Sequence, residues 1–514
     1  MNVLLISPLI QECNYAGYYY SSWPQLGITY IASVLERNGH NVKILEKKLL
    51  AGPEYPKTEE KITSLNNKLI QELKTFKPDF VGITATTPVI MDAFRTAKVI
   101  KGFNSDILII AGGRHPTTEY ISTLKLCPAI DVVCCGEGEY TMLDFVNRVP
   151  FKDIAGIAYR GSDDGIVKNP ERPLCKDLDQ IPPPAWHLLD ERFYFKPNIS
   201  VMRGDYMRSA TLFTARGCPY SCSFCQSPEM LDIYGHGYIR YHSLDRVIWE
   251  IQYLADKYGV EGISITDDLF ALKRSRVFEF CDRIIKDGLN KRVKFTVNMR
   301  SDSVDEDMLL ALKEAGCIHL VYGTESGSDE TLRRMNKKTN VEKNLKSIQL
   351  AKKIGLTCES NIVIGSPGET EKDMMKTIKF LKESKPDKIF VSKFYPIPGT
   401  QFYKKLVEKD IIKISQNWDD LNTLYVETDD FTFTDMPAKK FIKLRNKANR
   451  EIVLWTNYMY VVRKNFNKDI KLAITQLIKM CIYISFYYLP LSVQARIKKI
   501  LEMISFNLRY SFRK

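Results

Sequence analysis

Three cysteines at short spacing are the residues of this chain best suited to bind a metal cluster. The segment ARGCPYSCSFCQSPEM holds Cys218, Cys222 and Cys225, with three and then two residues between them. The glycine, proline and serines around them predict a loop, and the run ATLFTA before it predicts a strand. Three thiolates can ligate three irons of a cubane iron–sulfur cluster, which leaves the fourth iron without a protein ligand.

Two other interpretations of the triplet are a structural zinc site and three buried core cysteines. Structural zinc normally takes four protein ligands, and His236 and His242 are the only nearby candidates for the fourth. Core cysteines do not suit a loop that contains Gly217 and Pro219. The predicted order of strand, loop and helix therefore favours the cluster.

Four later segments strengthen this interpretation because, together with the triplet, they resemble the radical S-adenosylmethionine superfamily. They are TDDLF (266–270), YGTESGSDETLRRMNK (322–337), IVIGSPGET (362–370) and YPIPGTQFY (395–403). The resemblance implies that the amino and carboxylate groups of S-adenosylmethionine chelate the open iron of a 4Fe-4S cluster. An electron delivered into the sulfonium bond would then yield a 5'-deoxyadenosyl radical.

By the same resemblance, four residues would bind S-adenosylmethionine directly. Phe224 would pack beside the adenine, and Gly323, Glu325 and Ser326 would lie near the ribose and the methionine portion. Glu325 could instead cap a helix that is predicted to begin near Ser328. We favour the binding role for Glu325.

Further cofactor positions fall at turns and strand ends. Gly365 and Pro367 would shape the adenine side of the pocket, although a glycine there can also serve a turn. Asp267 and Asp268 end the second strand of the predicted core. A carboxylate at that position could bind the amino group of the cofactor or a polar substrate, and a role at a helix start is an equal alternative.

The residues ahead of the triplet predict an open parallel sheet. The apolar runs NVLLIS, NVKILE, FVGITA, DILIIAGG and IDVVCCGEGE alternate with helical patterns. This alternation is typical of an α/β, doubly wound (Rossmann-like) domain, which binds ligands at the carboxyl ends of its strands. The candidate residues at those ends are Ser7, Thr84, Gly112, Gly113, Gly136, Glu137 and Gly138.

This first domain resembles the cobalamin-binding module of one branch of the superfamily. The segments AGGRHPT (111–117), CGEGE (135–139) and PPPAW (182–186) carry the likeness. Glycines would admit the nucleotide tail of cobalamin, and the strand edge would face the corrin ring. The Asp-x-His-x-x-Gly motif is missing, so cobalamin would bind without a protein histidine on cobalt. A domain that keeps the fold without the cofactor would show the same absence.

The sequence divides into four regions. We predict a cobalamin-binding-like domain at 1–150, a hairpin and linker at 151–205, a radical core at 206–405 and a helical C-terminal domain at 406–514. Six strand-helix units in the core indicate a partial (β/α) barrel, with the cysteine loop at its catalytic end. The chain begins with a core strand and shows no secretory signal, so we expect it in the cytosol.

The positive charge of the chain is concentrated in its last region. The whole sequence has a formal charge of +13, and residues 437–514 alone have 17 Lys and Arg against three acidic residues, a net of +14. A helical cap with a solvated basic face, an anionic lipid surface and a nucleic acid all suit this composition. Apolar residues at helical spacing in 470–482 favour the inner face of the membrane over nucleic acid.

The resemblance is closest to enzymes in which the adenosyl radical takes a hydrogen from an unactivated carbon and cobalamin supplies a methyl group. A non-methylating cyclase or carbon-carbon coupling enzyme on a lipid or tetrapyrrole is the first alternative. A tRNA-modifying methylthiotransferase is disfavoured because its additional N-terminal cysteine triad is missing, and a non-enzymatic redox protein does not account for the later motifs. The implied partners are a small-molecule or lipid substrate and a reductant such as flavodoxin or ferredoxin.

Overall fold

A seven-stranded sheet forms the first half of the molecule. The computed structural model describes residues 1–9, 23–52, 58–163, 165–199, 201–412, 431–466 and 469–486, with the single residues 56 and 418. The strands are β1 (Asn2–Ser7), β2 (Asn41–Glu46), β3 (Phe80–Thr84), β4 (Leu108–Gly112), β5 (Val132–Cys134), β6 (Ile157–Arg160) and β7 (Ile166–Lys168). They pair in the order 2-1-3-4-5-6-7, parallel from β2 to β5 and antiparallel in the final hairpin. The predicted doubly wound sheet is confirmed, and its strand order reverses between β1 and β3.

Helices cover both faces of this sheet. They are α1 (Leu26–Arg37), α2 (Lys47–Ala51), α3 (Glu59–Phe76), α4 (Ile90–Phe103), α5 (Arg114–Thr118), α6 (Tyr120–Leu126) and α7 (Glu139–Val146). Successive residues of β1 point to opposite faces, where Leu5 packs with the core beside α1 and α7 and Leu4 with the core beside α3 and α4. A strand buried on both faces must be apolar throughout, which explains the run NVLLIS.

A six-stranded parallel sheet forms the second half, as the sequence predicts. Its strands are β8 (Ser209–Leu212), β11 (Gly262–Ile265), β12 (Lys294–Met299), β13 (Cys317–Glu325), β14 (Thr357–Ile364) and β15 (Lys388–Lys393), paired in the order 15-14-13-12-11-8. A short antiparallel pair, β9 (Ala215–Arg216) and β10 (Arg240–Tyr241), frames the cysteine loop. Consecutive parallel strands in this order make a partial barrel whose carboxyl ends face one mouth.

The helices of the second half alternate with its strands. They are α8 (Glu191–Tyr194), α9 (Ser227–Tyr234), α10 (Leu244–Tyr258), α11 (Arg274–Lys286), α12 (Glu306–Glu314), α13 (Asp329–Arg334), α14 (Val341–Ile354), α15 (Glu371–Ser384) and α16 (Gln401–Glu408). The barrel core also includes Tyr30 of α1 and Trp186 of the proline-rich linker. The Trp186 indole donates to the Glu250 carboxylate at 3.3 Å. Residues of the first half therefore pack into the barrel core and join the two α/β halves.

Three helices follow the barrel: α17 (Ala438–Ala448), α18 (Leu454–Asn465) and α19 (Ile470–Phe486), with a π-helical turn at Asn449–Val453. Phe441 and Ile452 belong to the barrel core. The predicted helical character of the C-terminal region is thus confirmed over these ranges, while 413–417, 419–430 and 487–514 lie outside the described residues. Nowhere in the described ranges is a helix both long enough and apolar enough to cross a bilayer.

Asn457 of α18 binds the backbone of the edge strand β15. The Ile389 N–H donates to Asn457 Oδ1 and Asn457 Nδ2 donates to the Ile389 carbonyl, both at 2.7 Å. An amide side chain thus replaces the missing neighbouring strand. We expect Asn457→Ala to lower the free energy of unfolding by about 1–3 kcal/mol, because it leaves part-buried backbone groups without partners. Urea unfolding against the neighbouring variant Thr456→Ala tests this, and equal midpoints would contradict it.

Candidate active site

The cysteine loop lies at the barrel mouth and is held there by two later segments. The Ser223 N–H donates to the Met335 carbonyl at 2.9 Å, and Asn336 Nδ2 donates to the Ser221 carbonyl at 2.7 Å. On the other side, the Phe402 N–H donates to the Ser223 carbonyl at 2.9 Å. The RRMNK and PIPGTQFY segments therefore fix the backbone of the loop, a role that their sequences alone do not reveal.

The three thiols of the loop fit an iron–sulfur cluster by their chemistry. None of them is in a disulfide, and Cys222 is buried while Cys218 and Cys225 are half-buried. Within the described residues, no three His, Cys, Asp or Glu side chains lie close enough to bind one metal ion together. A cubane accounts for this spacing because each thiolate binds a different iron. Burial raises the pKa of Cys218 to about 11, so a cluster held there would have to displace a proton.

Glu325 has the most unusual backbone near the loop. Its φ is +61°, a left-handed conformation that is rare for a residue with a side chain. The carboxylate is buried and accepts a hydrogen bond from the Lys337 ammonium group at 2.8 Å. A Cβ on Gly323 would lie 2.7 Å from Glu325 Oε1, so only glycine leaves room for this ion pair. Strained buried residues of this kind cluster at ligand sites.

We expect Glu325→Gln to weaken S-adenosylmethionine binding by about 10- to 100-fold, since a charged hydrogen bond contributes roughly 1.5–3 kcal/mol. Iron content should stay at the wild-type level because Glu325 is not a cluster ligand. Equilibrium binding to the reconstituted protein measures the affinity. The exposed acidic variant Glu342→Gln is the control, and wild-type affinity in Glu325→Gln would contradict the prediction.

Two of the sequence-predicted cofactor residues turn their side chains into the protein. Ser326 Oγ lies 3.1 Å from Thr377 Oγ1. The Asp267 carboxylate accepts hydrogen bonds from the backbone N–H and hydroxyl of Thr214 and from the Ala215 N–H. Burial raises the pKa of Asp267 to about 6. Asp267 thus ties the end of β11 to the segment that enters the cysteine loop.

Gly365 and Pro367 lie in the turn that follows β14. Gly365 has φ +86°, and a Cβ there would lie 3.1 Å from the Phe441 ring of α17. The Glu369 carboxylate accepts the Gly365 N–H, and burial raises the pKa of Glu369 to about 7. This buried acid, which the sequence does not single out, shapes the GSPGE turn. Phe224 packs against the apolar cluster that contains Phe402 and Tyr403.

A cavity of about 330 Å³ lies between the first sheet and the barrel mouth. Thr84, Gly112, Gly113, Gly136, Glu137 and Gly138 line it, as predicted. Ser7 is buried at the end of β1 but is not one of its lining residues. The barrel side includes Arg216, Gly217 and Asp268. The cavity therefore reaches from the glycine-rich edge of the first sheet to the residue that precedes Cys218.

Part of the cavity is an apolar slot that would admit a narrow portion of cobalamin such as its nucleotide tail. Leu5, Ile28, Ile31 and Met142 line it together with Gly82 of β3. A Cβ on Gly82 would lie 2.8 Å from Leu5 Cδ2, so the glycine keeps the slot open. Sequence reasoning missed Gly82, although a glycine inside the strand run FVGITA signals a close approach of a ligand or backbone.

No histidine is among the residues that line this cavity. The nearest in sequence to a lining glycine is His115, which is fully buried, with Nδ1 3.0 Å from Thr87 Oγ1 and the ring against Trp418. Burial lowers the pKa of His115 to about 3. Its neighbour Arg114 does line the cavity and hydrogen-bonds to Tyr238.

Comparisons with known proteins agree with this geometry. The B12 binding domain model matches residues 15–146, and the Radical SAM superfamily model matches residues 212–381. An uncharacterized methyltransferase of Pyrococcus horikoshii is 32% identical over 82% of this chain and 87% of its own length. The chain belongs to the cobalamin-binding branch of the radical S-adenosylmethionine superfamily. It is an enzyme of that family, whose cofactors are a 4Fe-4S cluster, S-adenosylmethionine and cobalamin.

A further relative and a solved structure each match most of this radical S-adenosylmethionine enzyme. The anaerobic magnesium-protoporphyrin IX monomethyl ester cyclase of Rubrivivax gelatinosus is 32% identical over 80% of the chain and 70% of the cyclase. The solved structure of OxsB, a cobalamin-dependent S-adenosylmethionine radical enzyme with aqua-cobalamin and S-adenosylmethionine bound, superposes with a TM-score of 0.67 at 17% identity, over 95% of this chain and 71% of OxsB. The likeness to OxsB confirms the fold, including the partial barrel and the sheet that precedes it.

Proposed function

We propose that this enzyme methylates an unactivated carbon of a small-molecule substrate. The observation that supports the proposal is that one cavity is lined both by the glycine-rich sheet edge and by Arg216 and Gly217, directly before Cys218. When bound, the cluster and S-adenosylmethionine supply a 5'-deoxyadenosyl radical, and cobalamin supplies a methyl group. The chain contributes a shared space whose lining is largely apolar.

The proposed ligands follow from the contacts described above. Cys218, Cys222 and Cys225 would hold the cluster, and Glu325, aligned by Lys337, would bind S-adenosylmethionine. Phe224 and the turn at Gly365 and Pro367 would flank the adenine, with Gly323 and Ser326 shaping the loop beside it. The glycines of the cavity would admit cobalamin without a histidine on cobalt. Cobalamin would bind to residues 1–150, and the cluster and S-adenosylmethionine to residues 206–405. Residues 151–205 would link these two regions, and residues 406–514 would form the helical C-terminal domain.

The test is anaerobic reconstitution with iron, sulfide and hydroxocobalamin, followed by incubation with S-adenosylmethionine and titanium(III) citrate. We expect both 5'-deoxyadenosine and S-adenosylhomocysteine, because methyl transfer consumes a second molecule of S-adenosylmethionine. The 32% identity to a cyclase keeps a non-methylating reaction as the second candidate. 5'-Deoxyadenosine without S-adenosylhomocysteine, from protein that retains cobalt, would favour the cyclase-like reaction and overturn methylation.

We also propose that α19 contacts an anionic membrane surface. Ile470, Ile474 and Ile478 follow one another at intervals of four residues, so they share one face of the helix. They are 55%, 48% and 49% exposed. An apolar stripe that faces solvent within a region of net charge +14 matches the mixed chemistry of a lipid surface with anionic headgroups.

We expect the wild type to sediment with vesicles of equal parts phosphatidylcholine and phosphatidylglycerol but not with phosphatidylcholine alone. The double variant Ile474→Ser and Ile478→Ser should bind roughly tenfold more weakly, because each buried isoleucine contributes about 1.5–3 kcal/mol at full burial and less at an interface. Ile411→Ser, which changes an exposed isoleucine outside the C-terminal helices, is the matched control. Equal sedimentation of the double variant and the wild type would contradict the proposal.

A further inference from the structure

We infer that an ionic clamp between the two α/β halves positions the cysteine loop over the cobalamin cavity. The interdomain clamp consists of Glu137 from the loop after β5, Glu139 at the start of α7, and Arg216 and Arg240 from the β9–β10 pair. It deepens the proposed function and rests on it, because its role is to align two cofactor sites. None of its four side chains needs to touch a reacting atom, so they are positioning residues.

Short ion pairs and hydrogen bonds connect the four side chains of the clamp. Glu137 binds Arg240 through both carboxylate oxygens, at 2.5 and 3.1 Å, and lies 3.2 Å from Arg216. Arg216 also donates to Glu139 at 2.6 Å. Arg240 donates to the Cys175 carbonyl at 2.8 Å, and the Arg216 guanidinium lies 5.2 Å from the centre of the Tyr30 ring. Each charged group of the clamp therefore has at least one partner from the other half of the molecule.

The positive charges of Arg216 and Arg240 explain why these side chains need partners from the first half of the molecule. Arg216 and Arg240 are directly opposite each other in the register of β9 and β10. Like charges at opposed positions destabilise an antiparallel pair, and these two side chains are only 16% and 5% exposed. Buried charges without counterions are costly. The β9–β10 pair is therefore stable in this position only with Glu137 and Glu139 in place.

The location of the clamp gives it a role in alignment. Arg216 is two residues before Cys218, and Glu137 lies between Gly136 and Gly138, which line the cavity. Movement of the cysteine loop relative to the glycine-rich edge would break the clamp. Both carboxylate oxygens of Glu137 are used by Arg240, so Glu137 is held in the clamp at the same point where it and its neighbouring glycines line the cavity.

S-Adenosylmethionine has two uses in the proposed reaction, radical formation and methyl donation to cobalamin. Alignment of the two halves matters only for methyl donation. Radical formation needs the cofactor and the cluster, both on the barrel. Methyl donation to cobalamin also needs the first sheet at the correct distance, and a misplacement of about 1 Å can cost roughly a hundredfold in rate. Loss of the clamp should therefore reduce S-adenosylhomocysteine formation more than 5'-deoxyadenosine formation.

Glu139→Gln in the full-length, doubly reconstituted protein tests the inference. We expect the ratio of S-adenosylhomocysteine to 5'-deoxyadenosine to fall at least fivefold. The EPR coupling between the reduced cluster and cob(II)alamin should also change, since it reports their separation independently of turnover. Glu359→Gln is the matched control, because Glu359 is a buried carboxylate between Lys388 and Arg203 at the amino-terminal end of β14. If Glu139→Gln does not fold, Arg216→Lys is measured in its place, and the same fall in the product ratio is expected.

The outcomes separate this inference from the proposed function. A lower product ratio and altered EPR coupling in Glu139→Gln, with wild-type values in Glu359→Gln, would support the clamp. A wild-type ratio in Glu139→Gln, or the same change in both variants, would overturn it. Failure of the wild-type protein to form any S-adenosylhomocysteine would overturn the proposed methylation instead.

Discussion

Cys222→Ala should eliminate the cluster and, with it, the cleavage of S-adenosylmethionine. We expect iron to fall from about four atoms per chain to below about one, because a cubane that loses one of three protein ligands has two open irons. Cys222 is the buried member of the triplet, and the Ser223 and Phe402 backbones hold the loop around it. No 5'-deoxyadenosine should form above the level of a protein-free blank.

The control for this variant is Cys481→Ala, which removes an exposed thiol of α19 far along the chain from the loop. Iron and acid-labile sulfide analysis, together with the EPR spectrum of the reduced protein, measure the result. Iron that remains in Cys222→Ala at the level found in Cys481→Ala would refute the assignment of the cysteine triplet to the cluster.

Gly82→Leu should remove cobalamin while the cluster is retained. A Cβ at Gly82 would lie 2.8 Å from Leu5 Cδ2 and 3.4 Å from Met142 Cε, so a larger side chain must enter the slot that these residues line. Overpacking a protein interior lowers stability by about 1–3 kcal/mol. A ligand that needs the same space would therefore bind more weakly. We expect hydroxocobalamin to bind roughly tenfold to a hundredfold more weakly.

Cobalt and iron analysis after desalting measure this prediction in one sample. Gly102→Leu is the matched control, because a Cβ at Gly102 would meet nothing within 4 Å. Cobalt at the wild-type level in Gly82→Leu would show that cobalamin does not use the slot between β1, β3 and α7. A loss of both metals would indicate unfolding, which thermal denaturation of the same variant identifies.

The sequence was sufficient where a local pattern has one physical solution. NVLLIS and FVGITA are buried on both faces of a parallel sheet, and such strands have to be continuously apolar. The cysteine triplet after ATLFTA was placed correctly at a barrel mouth because every strand of a parallel barrel ends on the same side. The seven candidate residues at the strand ends of the first sheet were found by the same rule, and six of them line the cavity.

The sequence was insufficient where the outcome depends on which distant side chains meet. The sequence placed Asp267 and Ser326 near the predicted cofactor site, but only the structure shows that their oxygens bind Thr214 and Thr377, residues about fifty positions away in the chain. The glycine in FVGITA signals a close approach, but only the structure shows that Leu5 is the side chain that approaches Gly82. No periodicity encodes such contacts, because they are set by how separate elements pack.

Sequence alone therefore determined the class of this protein: its two α/β folds and its cofactors, which short motifs and strand patterns indicate. Only the tertiary structure decided how the two halves are joined. The pairing of Glu137 and Glu139 with Arg216 and Arg240 spans as many as 103 residues of chain. Ion pairs between distant segments leave no local signature, since each charge by itself is indistinguishable from a solvated surface residue.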